Sequence, residues 1–350
     1  MKKLFALALA GALSLSVFAG CGNEAPSEEA PAEAPSEEVS AETPSENAPA
    51  EEKKEGGITI AYPENMQKRG FTEPVVLEEF PENIVCMSSN PVMALYELGV
   101  KMTAVPNSGV VAWPADLEES TVKVDSVMSD NFNIENIIAM DPDLLLAGFT
   151  SKEKYGQALD DAGIPVYYLD AGPSVPYASI KAQTQALVDA FAPDSEKGEA
   201  LMNKFTETEA KLDTLRPKYE DKSVMVLRCS IPNYDIQTAK GTLGSLADML
   251  GFKNVFEGES KSGNVPLDLE QAISYDPDIV LCVSGYDDPN ELKTAMEAEF
   301  EKNPDYWYSI EAIKDGDIVY FPRKFMPATG IQVLDNLAEF IDAMEAHFGE

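Results

Sequence analysis

Residues 133–146, NIENIIAMDPDLLL, and residues 268–281, DLEQAISYDPDIVL, decide the fold of this chain. The two stretches align without a gap at an offset of 135 residues, and both contain Asp-Pro-Asp in the same place, at 141–143 and 276–278. In each copy a short amphipathic helix is predicted to end at the Asp-Pro, because the residue before a proline disfavours the helical conformation. A fully apolar strand follows, which is typical of a parallel sheet covered on both faces.

A second, looser repeat precedes each of these stretches. Residues 84–87 (IVCM) and 224–227 (VMVL) are apolar strands, and each leads through a polar loop to a helix that ends in Leu-Gly. Gly99 and Gly251 at these ends suit helix C-caps. Each half therefore reads strand, helix, strand, helix, strand, which predicts an α/β fold of two similar lobes, each with a mainly parallel sheet flanked by helices. The alternative is two unrelated α/β domains with a chance similarity.

A helical stretch separates the halves, with apolar residues at helical spacing through 177–192 and 194–219. We expect an N-terminal lobe over 58–175, linking helices over 176–219 that include one long helix, and a C-terminal lobe with a terminal helix over 220–350. A ligand cleft is expected between the lobes, because parallel sheets place their functional loops at the carboxyl ends of the strands. The loops expected to line the cleft are 87–90, 107–113, 149–155, 228–234, 284–286 and 323–325.

The N-terminus has the pattern of an export signal. Lys2 and Lys3 precede an apolar run over 4–18, which is too short and wrongly flanked for a spanning helix of the mature protein. The small residues at 19–20 are followed at once by Cys21, and this ending resembles the lipobox of bacterial lipoproteins, although Phe18 stands where leucine is usual. We therefore predict a signal peptide over residues 1–20 and a lipid on Cys21 that holds the chain on the extracytoplasmic face of a membrane. The alternative is an ordinary signal peptide with a chance cysteine.

A stretch rich in Ala, Pro, Ser and Glu follows the predicted lipidation site. Residues 22–56 hold 11 Glu and 2 Lys, a net charge of −9, with Val39 as the one β-branched apolar residue. Such a stretch buries too little apolar surface to offset the entropy lost on ordering. Residues 21–57 are therefore predicted to be a disordered acidic tether between a membrane and a globular body.

Composition excludes several classes of function. The chain carries a net charge of −35, so it offers no basic face for nucleic acid or for anionic lipid, and contact with a membrane is expected through the lipid alone. Three cysteines remain after Cys21, which is not a disulfide framework, and each is expected to be a buried thiol. His347, near the C-terminus, is the single histidine, which argues against most hydrolase triads and against metal sites built on several histidines.

Several motifs together resemble a known family. Residues 81–85 (PENIV), Leu-Gly at 98–99 and Glu135 with its Asp-Pro-Asp are similar to the N-terminal lobe of class III substrate-binding proteins of ABC importers, which serve iron–siderophore, haem and cobalamin uptake. Residues 303–320, NPDYWYSIEAIKDGDIVY, resemble the signature of the C-terminal lobe. The resemblance covers roughly residues 75 to 345.

This resemblance implies a monomeric receptor that captures a bulky ligand between two rather rigid lobes and passes it to a membrane permease dimer driven by a cytoplasmic ATPase. The chain has no Gly-x-x-x-x-Gly-Lys-Ser/Thr loop and no Gly-x-Ser-x-Gly, so neither ATP hydrolysis nor another enzymatic activity is expected of it. A ferric siderophore or a similar metal chelate is the expected ligand, and no intrinsic cofactor or metal site is expected. Haem or cobalamin are alternatives of the same fold, and a surface adhesin or sensor without a transporter is the alternative of another class.

The cleft loops supply the candidate ligand-binding residues. Arginine presents a planar fork suited to the carboxylate or phenolate oxygens of a chelate, and aromatic rings stack on flat or apolar ligand parts. For each residue, loop packing or a solvated charge is the alternative role. The candidates are Met87, Ser88, Asn90, Trp113, Phe149, Arg228, Tyr234, Tyr286, Arg323 and Lys324.

Members of the resembled family dock on the permease through one acidic residue on each lobe. In this chain Met93 stands where the N-lobe glutamate is expected, and Glu97 lies one helical turn further along the same face. Asp248 lies on the comparable helix of the C-terminal lobe. Glu97 and Asp248 are therefore the candidate docking residues, with ordinary solvated charges as the alternative.

Overall fold

The computed structural model describes residues 56–127, 129–171, 175–256, 258, 260, 262–327 and 330–349. The predicted signal peptide, Cys21 and nearly all of the predicted tether lie outside the described residues. No helix within the described part of the chain is long and apolar enough to cross a membrane.

The described chain begins with a small antiparallel unit and the N-terminal lobe. A two-stranded sheet pairs β1 (Ile58–Ile60) with β2 (Val75–Leu77), and α1 (Glu64–Gln67) lies between them in sequence. The lobe then alternates strands and helices: β3 (Ile84–Cys86), α2 (Val92–Glu97), β4 (Ala104–Pro106), α3 (Ala115–Ser120), β5 (Val122–Val124), α4 (Ile134–Ile138), β6 (Leu144–Gly148), α5 (Ser151–Asp161) and β7 (Val166–Leu169). Its five strands form a parallel sheet in the order β5-β4-β3-β6-β7.

Two helices follow the first sheet, α6 (Tyr177–Phe191) and α7 (Glu196–Leu215), and α7 runs on into a 3-10 turn at Arg216–Lys218. The two helices are separated by a turn in which Asp194, the residue after Pro193, has a φ of 54°. Ser195 then caps α7, since its Oγ accepts the backbone N–H of Gly198 at 3.0 Å. The linking stretch is thus a helix pair, of which α7, with 20 residues, is the long member.

The C-terminal lobe repeats the pattern with an antiparallel addition. Its elements are β8 (Ser223–Ser230), β9 (Asn233–Gln237), α8 (Thr242–Leu250), β10 (Lys253–Asn254), β11 (Asn264–Pro266), α9 (Leu269–Ala272), β12 (Ile279–Val283), α10 (Pro289–Phe300), α11 (Pro304–Trp307), α12 (Glu311–Asp315), β13 (Ile318–Phe321), 3-10 turns at Arg323–Phe325 and Gly330–Gln332, and α13 (Val333–Phe348). The sheet order is β11-β9-β8-β12-β13, with β10 also pairing with β8. Strands β8, β10, β12 and β13 pair in parallel, whereas β9 and β11 are antiparallel. The prediction of two α/β lobes with mainly parallel sheets is confirmed.

The Asp-Pro-Asp repeat has a structural cause that is the same in both lobes. The last aspartate of each copy ties the start of its own strand to the start of the neighbouring parallel strand. Asp143 Oδ2 accepts the backbone N–H groups of Glu82 and Asn83 at 3.0 and 2.8 Å. Asp278 Oδ2 accepts the N–H and the hydroxyl of Ser223 at 2.6 and 2.7 Å. The repeat therefore fixes the register of β3 with β6 and of β8 with β12.

The helix ends also follow the sequence. Gly99 and Gly251 have φ values of 74° and 105°, in the left-handed region, as expected of residues that terminate α2 and α8. Asp141 and Asp276, the first residues of the two Asp-Pro-Asp motifs, have φ values of 47° and 41°. Aspartate adopts the left-handed conformation at modest cost, and at both positions this conformation redirects the backbone from the short helix into the strand.

The apolar core continues from the first lobe through the linking helices into one face of the second sheet. Successive side chains of β8 point to opposite faces of that sheet. Val224 and Val226 pack into this continuous core, whereas Met225 and Leu227 pack into a second apolar cluster beneath α10, α11 and α12. Both faces of the parallel strands are therefore covered, which explains why their sequences are apolar throughout.

Candidate functional site

The carboxyl ends of β3 and β7 carry the first group of candidate residues. Met87 is buried, and Ser88 Oγ accepts the backbone N–H of Asn90 at 3.3 Å. Asn90 is buried, and its Nδ2 donates to the backbone carbonyl of Asp170 at 3.2 Å. Asn90 thus links the loop after β3 to the end of β7. It stiffens this part of the rim of the first lobe, where the rim of a lobe means the loops at the carboxyl ends of its strands.

The loop after β4 has an internal framework of its own. Ser108 Oγ accepts the backbone N–H groups of Val110 and Val111 at 3.2 and 2.9 Å. Trp113 is buried, and its Nε1 donates to the carbonyl of Pro106 at 3.0 Å. These bonds hold the segment between them, with Gly109 exposed at its tip.

Arg69 is a candidate that the sequence reasoning missed. It lies between α1 and β2, and its guanidinium carbon is 4.4 Å from the centre of the Phe149 ring at the end of β6. Its Nη2 lies 3.5 Å from a carboxylate oxygen of Asp170. Arg69 is one of only four arginines in the sequence, and this scarcity was the one available signal. A partly exposed guanidinium that stacks on an aromatic ring is a suitable partner for an anionic ligand.

Arg228 and Tyr234 lie on the two strands of the β8–β9 hairpin, where Arg228 is opposite Asp235 and Tyr234 is opposite Cys229. Arg228 Nη1 lies 3.4 Å from Asp235 Oδ2, and both side chains are about one-third exposed, at 33% and 28%. The Tyr234 ring packs edge-on against Trp307 with centroids 5.0 Å apart. Burial raises the pKa of Tyr234, with smaller contributions from the nearby Glu299 carboxylate and the thiols of Cys229 and Cys282. Its hydroxyl is buried and meets no hydrogen-bond partner within the described chain.

The loop after β13 reaches the other lobe. Arg323 Nη2 donates to the carbonyl of Gly109, at the tip of the loop after β4, at 2.5 Å. The same guanidinium forms an ion pair with Asp287, with Nε 2.9 Å from Oδ1 and Nη2 3.1 Å from Oδ2. The exposed Tyr286 accepts the Arg323 backbone N–H on its carbonyl at 2.7 Å, and Lys324 forms an ion pair with Glu339 of α13.

The structure therefore groups the candidates unevenly. Arg323, Tyr286 and the 107–113 loop meet where the two lobes touch, and Asn90 and Phe149 cluster around Asp170 together with Arg69. Met87 and Trp113 are buried in packing positions. Arg228 and Arg323 lie at the carboxyl ends of strands in the second lobe, and Arg69 contacts residues at the carboxyl ends of β6 and β7 in the first. All three are partly exposed, so the rims of the lobes can present positive charge in an otherwise acidic chain.

The docking candidates differ in their surroundings. Glu97 Oε2 lies 2.7 Å from Lys204 Nζ of α7, and this ion pair bridges α2 and the long linking helix. Asp248 is exposed on α8. A carboxylate already held by a lysine is less available to a second basic partner, so the two candidates are not equivalent.

Two α/β lobes joined by a long helix, with the carboxyl-end loops of one sheet touching those of the other, define a bilobed binding protein. The chain belongs to the periplasmic binding protein family, whose sequence profile matches residues 84–324.

Relatives agree with this assignment. An uncharacterized ABC transporter substrate-binding lipoprotein of Bacillus subtilis, YvrC, is 22% identical over 98% of both chains. The crystal structure of PiuA, an iron uptake ABC transporter substrate-binding protein of Streptococcus pneumoniae, aligns with a TM-score of 0.61 at 20% identity over 82% of this chain and 98% of that one. The petrobactin-binding protein YclQ of Bacillus subtilis aligns with a TM-score of 0.62 at 14% identity over 84% and 99%. These structures share the bilobed class III fold, which confirms the predicted architecture.

Proposed function

We propose that the chain is the extracytoplasmic substrate-binding lipoprotein of an ABC importer, and that it captures a ferric siderophore or a similar metal chelate and delivers it to a membrane permease. The observation that carries this proposal is the meeting of the two rims at Arg323, within a family of solute-binding proteins. Relatives named as ABC transporter substrate-binding lipoproteins, and structural neighbours named for iron uptake or petrobactin binding, support it.

The chemistry of the rims favours an anionic ligand. Arg69, Arg228 and Arg323 each have a carboxylate partner within 3.5 Å, and each keeps a partly exposed guanidinium. For Arg228 and Arg323, whose partners Asp235 and Asp287 are also partly exposed, such ion pairs are worth only about 0–1 kcal/mol, so a ligand carboxylate or phenolate can replace the internal partner at little cost. Asp170, the partner of Arg69, is only 8% exposed, so Arg69 would bind a ligand while it keeps this partner. Phe149 and Tyr286 offer rings for the flat parts of a chelate.

The proposed receptor binds without turnover. In this account the ligand leaves as it arrived, and the free energy for transport comes from a cytoplasmic ATPase that works with the permease. The predicted lipid on Cys21 keeps the receptor on the membrane that holds the permease, and roughly 35 flexible residues would give the tether a reach of about 30–35 Å. Anchoring of this kind raises the local concentration of receptor at its partner.

Delivery requires a docking contact, for which Asp248 and Glu97 remain the proposed residues. Charge reversal tests each separately: Asp248→Lys is expected to reduce uptake more than Glu97→Lys, because Glu97 is already held by Lys204. Undiminished uptake in the double variant, at normal surface levels of the protein, would remove both residues from the docking role.

The ligand is tested by thermal-shift screening of residues 21–350 against ferric catecholate, hydroxamate and carboxylate chelates, with haem and cobalamin alongside. A ligand that binds the folded state alone raises the melting temperature, and the increase grows with its concentration. Iron-loaded chelates are expected to give the shift. A shift with haem or cobalamin alone would replace the chelate assignment, and no shift with any of them would refute it.

A further inference from the structure

Arg323 contacts both lobes through one guanidinium. Its Nη2 reaches the Gly109 carbonyl of the N-terminal lobe at 2.5 Å, while Nε and Nη2 lie 2.9 and 3.1 Å from the two carboxylate oxygens of Asp287. Asp287 follows β12, so the acid belongs to the same lobe as the arginine and the carbonyl belongs to the opposite one. The hydrogen bond from Nη2 to Asp287 Oδ2, with the carboxylate also close to Nε, restricts the direction of the guanidinium, which here points across the cleft.

The backbone on each side of this contact is fixed. The Arg323 N–H donates to the Tyr286 carbonyl, and the next residues are held by buried Phe325 and by Asn336 Nδ2, which donates to the Lys324 carbonyl. On the opposite side Ser108 Oγ fixes the turn that presents Gly109. Because both backbones are anchored, the freedom that remains lies in the side chains of Arg323 and Asp287.

Asp287 itself is loosely held. Its side chain is 78% exposed, against 33% for Arg323. An exposed carboxylate pairs weakly, since water competes for both charges. It nevertheless neutralises Arg323 and accepts a hydrogen bond from Nη2, a donor that an anionic ligand would use.

We infer that Asp287 is a positioning and specificity-determining residue of the cleft: it aims Arg323 at the Gly109 carbonyl, which latches the lobes together, and it competes with anionic ligands for the same guanidinium. The latch is independent of the ligand's identity. The competition rests on the proposed function, because it needs a ligand that enters this cleft. Asp287 thereby lowers the affinity for highly charged ligands relative to uncharged ones.

The test uses residues 21–350 as wild type, Asp287→Asn, Arg323→Gln and the control Asp342→Asn, an exposed acid on α13 that is remote in sequence from both loops. Hydrogen–deuterium exchange of the 107–113 peptide, measured without ligand, reports whether the contact between Arg323 and Gly109 is intact. At least twofold faster exchange is expected in Asp287→Asn and Arg323→Gln, with no change in the control. Unchanged exchange in Asp287→Asn overturns the inference whatever ligand binds.

Calorimetric titration with an anionic ferric tris-catecholate and an uncharged ferric trihydroxamate measures whether Asp287 competes with an anionic ligand for Arg323. Asp287→Asn is expected to tighten the anionic chelate by about two- to fivefold, the range that a partly exposed ion pair allows, and to leave the uncharged chelate unchanged. Equal weakening of both chelates would make Asp287 merely structural and overturn the inference. If neither chelate binds any variant, the proposed function fails, and the exchange result alone decides whether the latch stands.

Discussion

Replacing Asp170 by asparagine removes a buried negative charge from the carboxyl end of β7. The Asp170 side chain is 8% exposed, and its carboxylate accepts the Ser179 hydroxyl at 2.7 Å and Asn65 Nδ2 at 3.3 Å. Arg69 Nη2 lies 3.5 Å away. The same side chain therefore connects the segment before β2, the end of the first sheet and the start of α6.

The expected cost follows from these contacts. A hydrogen bond to a charged group contributes about 1.5–3 kcal/mol. Asparagine can keep an acceptor oxygen for Ser179 and Asn65, but it then turns an NH₂ group toward the Arg69 guanidinium, which approaches the other oxygen. We therefore expect Asp170→Asn to lower the free energy of unfolding by about 2 kcal/mol. For residues 58–350, an unfolding entropy of about 2.1 cal/mol/K per residue converts this loss into a fall of about 3 °C in the melting temperature.

Differential scanning calorimetry and urea unfolding at pH 7 measure the effect, with Asp342→Asn on exposed α13 as the control. The urea midpoint of Asp170→Asn should fall while the slope of the transition stays the same, since the surface exposed on unfolding does not change. High salt should leave most of the loss in place, because a buried network is screened little. A melting temperature within 1 °C of the control, equivalent to about 0.6 kcal/mol, would refute the reasoning.

Three further predictions rest on other parts of the structure. Phe205 is fully buried on α7, with its ring centroid 5.6 Å from that of Tyr177. Phe205→Ala should lower the free energy of unfolding by about 3–5 kcal/mol, and Phe205→Leu by clearly less. Equal melting temperatures of the two variants would contradict this packing. Burial opposes ionisation of Asp278, but its hydrogen bonds from Ser223 and the charge of Lys222 outweigh it and lower its pKa. Its stabilising contribution should therefore be present above about pH 4 and be lost as the pH falls through the lowered pKa, so Asp278→Asn should lose less stability than wild type over that range of acid titration. Burial raises the pKa of the Cys86 thiol, so this residue should resist a thiol reagent in the native protein and react in guanidinium, as mass spectrometry of the labelled peptide would report.

The fold was predictable because its signals are local. The apolar strands at 144–148 and 279–283 are each buried throughout, as their uninterrupted apolar sequences predict. Gly99 and Gly251 end their helices in the left-handed conformation. The Asp-Pro-Asp repeat was visible as a pattern, but its role in tying neighbouring strands together depends on partners about 60 residues away at Asn83 and 55 away at Ser223.

The site was less predictable because it depends on contacts between distant segments. Topology placed Arg323 in a cleft loop, whereas its contact with Gly109 joins residues 214 positions apart. Arg69 precedes the first lobe's sheet and reaches Phe149 only because the β1–β2 unit folds back on α6. A side chain's burial also has no local signature in a loop: Trp113 is buried there and Tyr286 is exposed.

Equilibrium dialysis of residues 21–350 with ⁵⁵Fe-labelled ferric chelates tests the central claim most directly. We expect saturable binding of one chelate per chain, release of that chelate chemically unchanged, and weaker binding by Arg323→Gln. The claim would be contradicted if the folded wild-type protein retained no ferric chelate, or if a chemically converted product were recovered.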